Sequence, residues 1–431
     1  MTARPANAHQ ARLLRLLRDG GPNSRAQLGD QVDLSRSKLA VEVDRLLETG
    51  LVVADGLAAS RGGRRSHNIR LAPELRFLGV DIGATSIDVA VTNAELEVLG
   101  HLNQPMDVRE GPVAVFEQVL AMAAKLRASG LAEGFDGARI GVPGPVRFPE
   151  GVPVAPPIMP GWDGFPVREA LSQDLGCPVM VDNDANTAAW AEWRFGAGRG
   201  EDHLVMITLG TGIGGAILED GQVKRGKYGV AGEFGHMQVV PSGHRCPCGN
   251  RGCWEQYSSG NALVREAREL AAADSPVAHY LLDRVKGNIP DITGPLITEL
   301  AREGDAMCIE LLQDIGQWLG VGIANLAAAL DPSCFVIGGG VSAADDLLIG
   351  PARDAFKRHL TGRGYRPEAK IAKAQLGPEA GMVGAADLAR LVARRFRRAN
   401  RRRVERYERY AQIYDQAAST IRNTRSTRTV D

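Results

Sequence analysis

One histidine and three cysteines lie close together near the middle of this chain, in the spacing H-x9-C-x-C-x4-C. Three thiolates and one imidazole form one of the standard tetrahedral zinc sets. Gly and Pro residues between them allow the tight turns through which four ligands converge. The alternative, a group of free buried thiols, does not account for this spacing. Because the protein would fill all four coordination positions, the sequence predicts a structural zinc ion bound by His236, Cys246, Cys248 and Cys253.

The remaining composition is that of an ordinary globular protein of two or three domains. Of the 431 residues, 44% are hydrophobic and 24% are charged, and no apolar stretch approaches the length that crosses a membrane. The first residues lack the apolar core of an export signal. Thiolate ligands also suit a reducing compartment. We therefore expect a cytoplasmic protein without a membrane partner.

A formal net charge of zero hides an uneven distribution of charge along the chain. Residues 1–70 hold twelve Lys and Arg against seven Asp and Glu. Residues 390–431 hold thirteen Arg against four acidic residues, so the central part is acidic. Basic ends around an acidic centre are expected when an end of the chain binds nucleic acid and the centre does not.

Residues 1–72 have the pattern of a winged helix-turn-helix domain. The segment ARLLRLLR predicts an amphipathic helix, and Asn23 or Ser24 can cap a second, shorter helix. Ser35 can cap a third helix that ends at Gly50. A basic turn, ASRGGRRSHNIRL, then connects two short strands. The periodicity of the third helix predicts an apolar face made of Leu39, Val43, Leu46 and Leu47.

The third helix of such a domain lies in the DNA major groove, with its first side chains against the base edges. The alternative is a small helical protein-interaction domain with an incidentally charged surface. The GGRR turn and the Arg- and Ser-rich start of the third helix favour DNA. The predicted DNA contacts are Ser35, Arg36, Ser37 and Lys38 on the helix and Arg61, Arg64 and Arg65 on the wing.

The sequences GEFGHM and CPCGNRGCWE around the predicted zinc site resemble the signature of the ROK family of sugar kinases, sugar-responsive repressors and open reading frames. The resemblance covers roughly residues 76–393. It implies that His236 both ligates zinc and contacts a sugar hydroxyl, and that Glu233 and Glu255 contact the sugar. The N-terminal domain is similar to the DNA reader of the family's repressor branch, which the family's stand-alone kinases do not carry.

Three glycine-rich turns, D-I-G-A-T-S, G-T-G-I-G-G and I-G-G-G-V-S, follow apolar strands. The first two lie in similar hairpins, which indicates an internal duplication with phosphate held between two lobes. Together they resemble the phosphate and adenosine motifs of the α/β, two-lobed actin-like ATPase and sugar-kinase fold. The resemblance implies lobes at 76–187 and 188–393, the second carrying the zinc loop 236–253. It places Mg²⁺ and ATP, if they are used, at Asp81, Gly83, Thr85, Gly210, Thr211, Gly212, Gly338, Gly339 and Gly340.

The segment V-D-N-D-A-N lies where a strand leads into a helix. A carboxylate there can accept the proton of a sugar hydroxyl as that hydroxyl attacks a γ-phosphoryl group. The family's NDAN motif implies that Asp184 is the general base and that Asn183 binds a neighbouring hydroxyl. An Asn or Asp here can also be a helix N-cap, and both roles can hold together. The backbone at Gly144 would adjoin the sugar.

Two departures from the family's kinases oppose turnover. Ala84 and Ser86 stand in the first phosphate turn where the kinases commonly carry Gly and Lys. Pro157 or Ile158 stands where kinases usually carry an Asn that binds the sugar. Losing one such hydrogen bond costs about 1–3 kcal/mol, which alters specificity more readily than it abolishes binding. We therefore expect sugar binding to be retained.

The resulting expectation is a sugar-responsive transcriptional regulator, a repressor, that reads an inverted-repeat operator as a homodimer or homotetramer and is released by a sugar or sugar phosphate. The alternative is an ATP-dependent hexose or N-acetylhexosamine kinase, acting alone or also as a regulator. A third hypothesis is an architectural or partner-binding protein with a vestigial ligand site. The basic tail, 394–431, is interpreted as a solvated helix with a disordered end, rather than a second DNA- or partner-binding element.

Overall fold

The computed structural model describes residues 8–57 and 67–390. The predicted wing-tip residues Arg61, Arg64 and Arg65 and the tail 394–431 lie outside the described residues. The helices are α1 (Ala8–Gly20), α2 (Arg25–Gln31), α3 (Arg36–Thr49), α4 (Pro112–Ala128), α5 (Val167–Leu175), α6 (Asp184–Phe195), α7 (Gly260–Ala272), α8 (His279–Arg284), α9 (Gly294–Glu303), α10 (Ala306–Leu330), α11 (Asp346–His359) and α12 (Ala380–Ala389). 

The strands are β1 (Asn23–Ser24), β2 (Val52–Leu57), β3 (His67–Leu71), β4 (Phe77–Ile82), β5 (Ser86–Thr92), β6 (Val98–Pro105), β7 (Gly137–Val142), β8 (Val146–Arg147), β9 (Val152–Pro153), β10 (Val179–Asn183), β11 (His203–Leu209), β12 (Ile213–Glu219), β13 (Gln222–Val223), β14 (Cys334–Gly338) and β15 (Lys370–Lys373).

The N-terminal domain contains three helices and a sheet in the order β1-β3-β2, as expected for a winged helix-turn-helix. Ser24 and Gln27 form a capping box at the start of α2, and Ser35 accepts a hydrogen bond from the Lys38 amide at the start of α3. Gly50 ends α3 in the left-handed region, at φ +70°. The first helix begins at Ala8, three residues before the apolar repeat that marks it in the sequence.

The rest of the described chain is built around two five-stranded mixed sheets with the same strand order. The first sheet is ordered β10-β7-β4-β5-β6 and the second β13-β12-β11-β14-β15. In each, an antiparallel hairpin is extended by two parallel strands. The equivalence confirms the predicted two-lobed α/β fold. The predicted lobe boundary between residues 187 and 188 falls inside α6.

The N-terminal domain and the first lobe share one apolar core. Leu13, Leu14 and Leu17 of α1 belong to the same buried cluster as Phe77 of β4 and Ala389 of α12. Burial of such side chains contributes roughly 25 cal/mol per Å² of apolar surface removed from water. The two domains are therefore packed against each other rather than only tethered. Within the described residues, no helix is both long enough and apolar enough to cross a membrane.

Helix α12 packs against β4 and α6 through glycines. A Cβ added at Gly79 would lie 2.5 Å from the Met382 carbonyl oxygen, and one added at Gly384 would overlap with the Thr187 carbonyl oxygen. Backbones approach this closely only where no side chain intervenes. Although α12 comes last in the described chain, it is thereby fixed against the first lobe.

Replacing Gly384 with alanine should lower the free energy of unfolding by about 1–3 kcal/mol, because the new methyl group forces α12 away from α6. The measurement is thermal or urea unfolding of the full chain. The matched control is Gly350→Ala in α11, where a Cβ meets nothing within 4 Å. That variant should gain up to about 1 kcal/mol, because alanine is the better helix former. Equal stability of the two variants would contradict the close packing.

Candidate functional site

The carboxyl ends of three parallel strands gather the acidic residues of the candidate site. In the register of the first sheet, Asp81 of β4 lies opposite Gly141 of β7, and Val142 lies opposite Asn183 of β10. A Cβ at Gly141 would lie 3.1 Å from Asp81 Oδ1 and 3.3 Å from the Asp184 Cα. A side chain at this position would force the two acidic residues to shift by a few tenths of an ångström, so glycine favours their close approach to β7. Asp81 and Asp184 are thus brought to the same end of the sheet.

Asp184 is the first residue of α6 and carries a strongly perturbed carboxyl group. Burial raises its pKa to about 7, although the amide of Ala185 donates to Oδ1 at 2.8 Å and opposes the shift. Burial and the charges of Asp184 and Asp88 also raise the pKa of Asp81 well above its usual value. The Oδ1 atom of Asp81 is buried and has no hydrogen-bond partner in the structure. Burial therefore favours the protonated form of both carboxyl groups, and Asp184 titrates near neutral pH.

Asn183 has the N-cap role that its sequence context allows. Its Oδ1 accepts from the Asn186 amide at 3.3 Å, and its Nδ2 donates to the Gly144 carbonyl oxygen at 3.2 Å. A Cβ at Gly144 would lie 2.9 Å from Pro156, so the loop after β9 packs directly over this glycine. Asn183 and Gly144 are brought together as predicted. One N–H of Asn183 remains for a ligand hydroxyl, and that role stays a prediction.

The two predicted sugar-binding glutamates flank the candidate metal ligands. Glu233 Oε2 lies 4.0 Å from His236 Nε2, and Glu255 Oε1 lies 3.6 Å from His236 Nδ1. Burial, with the charges of Asp184 and Glu255, raises the pKa of Glu233 to about 7. Glu255 also approaches Gly212 so closely that a Cβ there would lie 2.5 Å from Oε2. The charges of Asp184 and Glu255 therefore both act on Glu233, and this group of acidic side chains, called the acidic pocket below, reaches the second glycine turn through Glu255.

The four candidate metal ligands converge in the structure. One ligand atom from each of His236, Cys246, Cys248 and Cys253 lies within 4.8 Å of all the others. The Cys248 and Cys253 sulfurs are 3.6 Å apart, and His236 Nδ1 is 3.6 Å from Cys246 Sγ. Zn–S bonds of about 2.3 Å in a tetrahedron require sulfurs about 3.8 Å apart. This side-chain set can therefore hold a tetrahedral metal ion, with His236 Nε2 left facing Glu233.

The other glycine turns predicted to bind nucleotide also lie at strand ends. The turn at Gly210 follows β11, and Thr208 of that strand pairs in parallel with Gly338 of β14, where the third turn begins. Gly339 has φ +82°, and a Cβ there would overlap with the Leu209 carbonyl oxygen. These contacts bring the turns containing Gly210, Thr211, Gly212, Gly338, Gly339 and Gly340 side by side.

The first phosphate turn has a tight hydrogen-bonded form. The Gly83 amide donates to the Ser86 carbonyl oxygen at 2.9 Å, and the Thr85 carbonyl oxygen accepts from Met106 at 3.0 Å. Thr85 itself is exposed and Ala84 is half-buried. The turn therefore offers one exposed hydroxyl and no cation.

Sequence reasoning missed a buried ionic cluster beside Asp184. Asp182 accepts hydrogen bonds from Arg139 and, at 3.1 Å, from Nε of Arg225. The Arg225 guanidinium lies 4.1 Å from the centre of the Phe148 ring. Arg225 follows β13, so it links the second lobe to the first immediately before Asp184. A detectable signal was Arg139, a charged residue within an otherwise apolar strand that requires a buried counter-ion.

The predicted DNA contacts on α3 are accessible. Ser35, Arg36, Ser37 and Lys38 are all exposed, whereas Leu39, Val43 and Leu46 are buried as predicted. Val41, one turn after Ser37, is 48% exposed and was not among the predicted contacts. An exposed apolar side chain on a recognition helix can contact a thymine methyl group.

Known proteins of two kinds are similar to this chain. The family described as "ROK family" matches residues 77–392. A glucokinase of Streptomyces coelicolor is 42% identical over 314 residues, which are 73% of this chain and 97% of that protein. A putative xylose repressor of a Caldicellulosiruptor species is 29% identical over 365 residues, which are 84% of this chain and 90% of that protein.

Two solved structures have a similar fold. A ROK family glucokinase from Streptomyces griseus, in complex with glucose and AMPPNP, superposes with a TM-score of 0.65 at 42% identity and covers 73% of this chain and 99% of its own. A ROK family transcriptional regulator, a homologue of the E. coli MLC protein, covers 89% of this chain and 95% of its own with a TM-score of 0.74 at 24% identity. From the sequence match, the shared fold and the gathered site residues, the chain belongs to the ROK family.

Proposed function

We propose that this protein is a transcriptional repressor that binds operator DNA through its winged helix and releases it when a sugar binds between the lobes. The observation that carries the proposal is the packing of an N-terminal domain, with exposed α3 side chains, directly on a lobe that holds an acidic pocket. The alignment with the xylose repressor relative is longer than the family region, as expected if it includes part of that domain.

The pocket has the groups that recognise a neutral, polyhydroxylated ligand. Asp184, Glu233 and Glu255 offer acceptors to hydroxyl groups, and His236 Nε2 faces the same space. Raised pKa values near 7 let Asp184 and Glu233 either donate or accept a hydrogen bond. Ile158 packs against the apolar core of the first lobe, so this side chain offers no hydrogen bond to a sugar. These features support a hexose or pentose, consistent with the glucose and xylose named for the relatives.

A structural zinc ion fits the donor set of His236, Cys246, Cys248 and Cys253, because three thiols and one imidazole are a full tetrahedral shell. Binding requires deprotonated thiols, whereas burial, together with the neighbouring Cys248 thiol and the charge of Glu255, raises the pKa of Cys253. A divalent ion supplies the charge that reverses this shift. Zinc would fix the segment between Glu233 and Glu255 and so shape the sugar pocket.

The second candidate function is an ATP- and Mg²⁺-dependent sugar kinase. Asp184, with a pKa near 7, suits a general base at neutral pH, and the unpartnered Oδ1 of Asp81 could face a Mg²⁺ ion. The absence of a cation from the first phosphate turn opposes this function. The glucokinase relatives match the lobes but cover only 73% of the chain. The kinase hypothesis therefore gives the N-terminal domain no role.

The proposed repressor is a two-fold dimer, or a dimer of dimers, because an inverted-repeat operator presents two equivalent half-sites. The test begins with selection of bound fragments from random double-stranded DNA by the full-length, zinc-loaded protein. Fragments that contain an inverted repeat and dissociate in D-glucose or D-xylose support the proposal. Failure to select any DNA overturns it.

ATP turnover is measured on the same preparation with Mg²⁺ and a panel of hexoses and N-acetylhexosamines. Turnover that requires a sugar and disappears in Asp184→Asn would establish the kinase. Turnover together with sugar-released DNA binding would make the protein bifunctional, and no turnover would leave Asp184 as a ligand-binding residue.

Lys38→Ala should weaken binding to the selected DNA by about 1–3 kcal/mol, because the lysine lies at the exposed start of α3. Sugar affinity should not change. The measurement is fluorescence anisotropy at fixed salt, and the matched control is Lys125→Ala, an exposed lysine on α4. Equal DNA affinities in the two variants would show that α3 is not the reading helix.

Cys248→Ser should lower the zinc content and reduce sugar affinity by about tenfold or more, because a lost ligand loosens the Glu255 side of the pocket. Zinc is counted by elemental analysis and sugar affinity by calorimetry. Cys177→Ala, a buried thiol outside the cluster, serves as the control. Zinc content equal to that of the control would remove the metal assignment.

Sugar affinity should rise between about pH 6 and about pH 8, because a hydroxyl donates more strongly to ionised Asp184 and the carboxyl ionises near pH 7. Asp184→Asn should flatten part of this rise and weaken binding. Calorimetry in buffers of different ionisation enthalpy reports the protons released. The exposed Asp346→Asn is the control, and the same pH dependence in both variants would place the sugar elsewhere.

A further inference from the structure

A buried carboxylate near the C-terminal end of α12 gathers charged groups from three helices. Asp387 has no solvent exposure. Its Oδ2 accepts from Trp190 Nε1 at 2.8 Å and from Arg194 Nε at 3.1 Å, both on α6. Its Oδ1 accepts from Arg390 Nε at 3.0 Å. Burial alone would raise the pKa of Asp387, but the surrounding guanidinium charges outweigh it and lower the pKa.

The third helix of this cluster is α1 of the DNA-binding domain. Asp19 forms an ion pair with Arg194 at 2.9 Å, so it joins α1 directly to α6. Arg18 lies 4.0 Å from Asp387, and its guanidinium lies 5.3 Å from the centre of the Trp190 ring. The Arg18 side chain is only 2% exposed. These contacts cross the boundary between the winged helix and the first lobe.

The same two helices reach the acidic pocket at their other ends. Helix α6 begins at Asp184, and its last turn carries Arg194. Helix α12 begins beside Asp81, because a Cβ at Gly381 would overlap with the Asp81 carboxylate. Its last turn contains Asp387. Each helix therefore has one end in the pocket and the other in the charged cluster, so a single continuous helix connects the two sites.

Close packing makes the two helices move together. Thr187 of α6 touches Gly384 of α12, and Ala191 would lie 3.3 Å from a Cβ at that glycine. Densely packed elements shift as rigid bodies because their interiors do not compress. A displacement of the first turn of α6 is therefore carried to Trp190 and Arg194.

We propose that α6 and α12, joined to α1 through Asp387, Arg194 and Asp19, form the coupling element by which sugar in the pocket controls DNA binding. This inference rests on the proposed repressor function and names its regulation. Sugar contact at Asp184 shifts the first turn of α6, and the shift reorients α1 and, with it, the α3 helix that reads DNA. Removing one partner from a buried charge is strongly unfavourable, so the cluster keeps the three helices in contact.

If the cluster had a purely structural role, removal of Arg194 would have a different effect. In that case removing Arg194 would lower the stability of the domain contact and leave the effect of sugar on DNA binding unchanged. Coupling is a ratio of affinities, so it can change while each separate affinity is preserved. The decisive quantity is therefore the ratio of DNA dissociation constants with and without sugar.

The test uses Arg194→Gln in the full-length, zinc-loaded protein, with Arg199→Gln, at an exposed arginine shortly after α6, as the matched control. The probes are a DNA fragment selected by the wild type and whichever of D-glucose and D-xylose releases it. We expect sugar to weaken DNA binding by about tenfold or more in the wild type and control, and by less than about threefold in Arg194→Gln. Sugar affinity without DNA should stay within about threefold of wild type, and the zinc content should equal that of the wild type.

Asp19→Asn provides a second variant that leaves α6 and α12 unaltered. Because Asp19→Asn removes the ion pair with Arg194, and Arg194→Gln removes that pair as well, the double variant should lose no more coupling than Arg194→Gln alone. Hydrogen exchange of residues 8–20 should respond to sugar in the wild type and not in these variants.

The outcomes separate this inference from the function on which it rests. A wild type that binds no DNA, or that no sugar releases, overturns the repressor proposal and the coupling element with it. A wild type that is released by sugar, together with an Arg194→Gln variant released to the same extent, overturns only the coupling element. Loss of sugar affinity in Arg194→Gln would also overturn it, because the residue would then act at the pocket.

Discussion

The parallel pairing of β4, β7 and β10 is the constraint on which the site depends. It brings three strand ends to one edge, so Asp81, Gly141 and Asn183 meet although they are far apart in the chain. Helix α6 begins at these strand ends, and α12 packs against them. The two helices exclude water from the carboxyl groups of Asp81 and Asp184, and this burial raises their pKa values. The strand topology and the burial together therefore produce the raised pKa values. In a surface loop, neither carboxyl group would have an unusual pKa.

Motifs with fixed local spacing were the part of the molecule that sequence could predict. The metal ligands, the capping serines of α2 and α3 and the apolar face of α3 depend on neighbours only a few residues away, and the structure contains all of them. The two-lobed fold followed from the glycine turns and from the family signature. Asp184 was identified because a strand end followed by an N-cap motif is a local pattern too.

Contacts between distant segments could not be predicted. Nothing adjacent to Asp387 in the chain indicates that Trp190 and Arg194 will meet it, since nearly 200 residues separate them. For the same reason, the contact between Arg225 of the second lobe and Asp182 of the first could not be predicted. The raised pKa values also depend on burial by elements far away in sequence. A charged residue in a buried strand or helix indicates that such a contact exists, but only the folded structure identifies its partner.

The shared core between the winged helix and the first lobe limits how this protein can be recombined. Natural and engineered regulators are often treated as interchangeable modules joined at a linker. Here a cut between residues 72 and 76 would expose the buried side chains of Leu75, Phe77 and Ala389. A functional chimera would have to take β4 and the end of α12 together with the DNA reader. The segment that must be transferred together is therefore larger than the winged-helix domain.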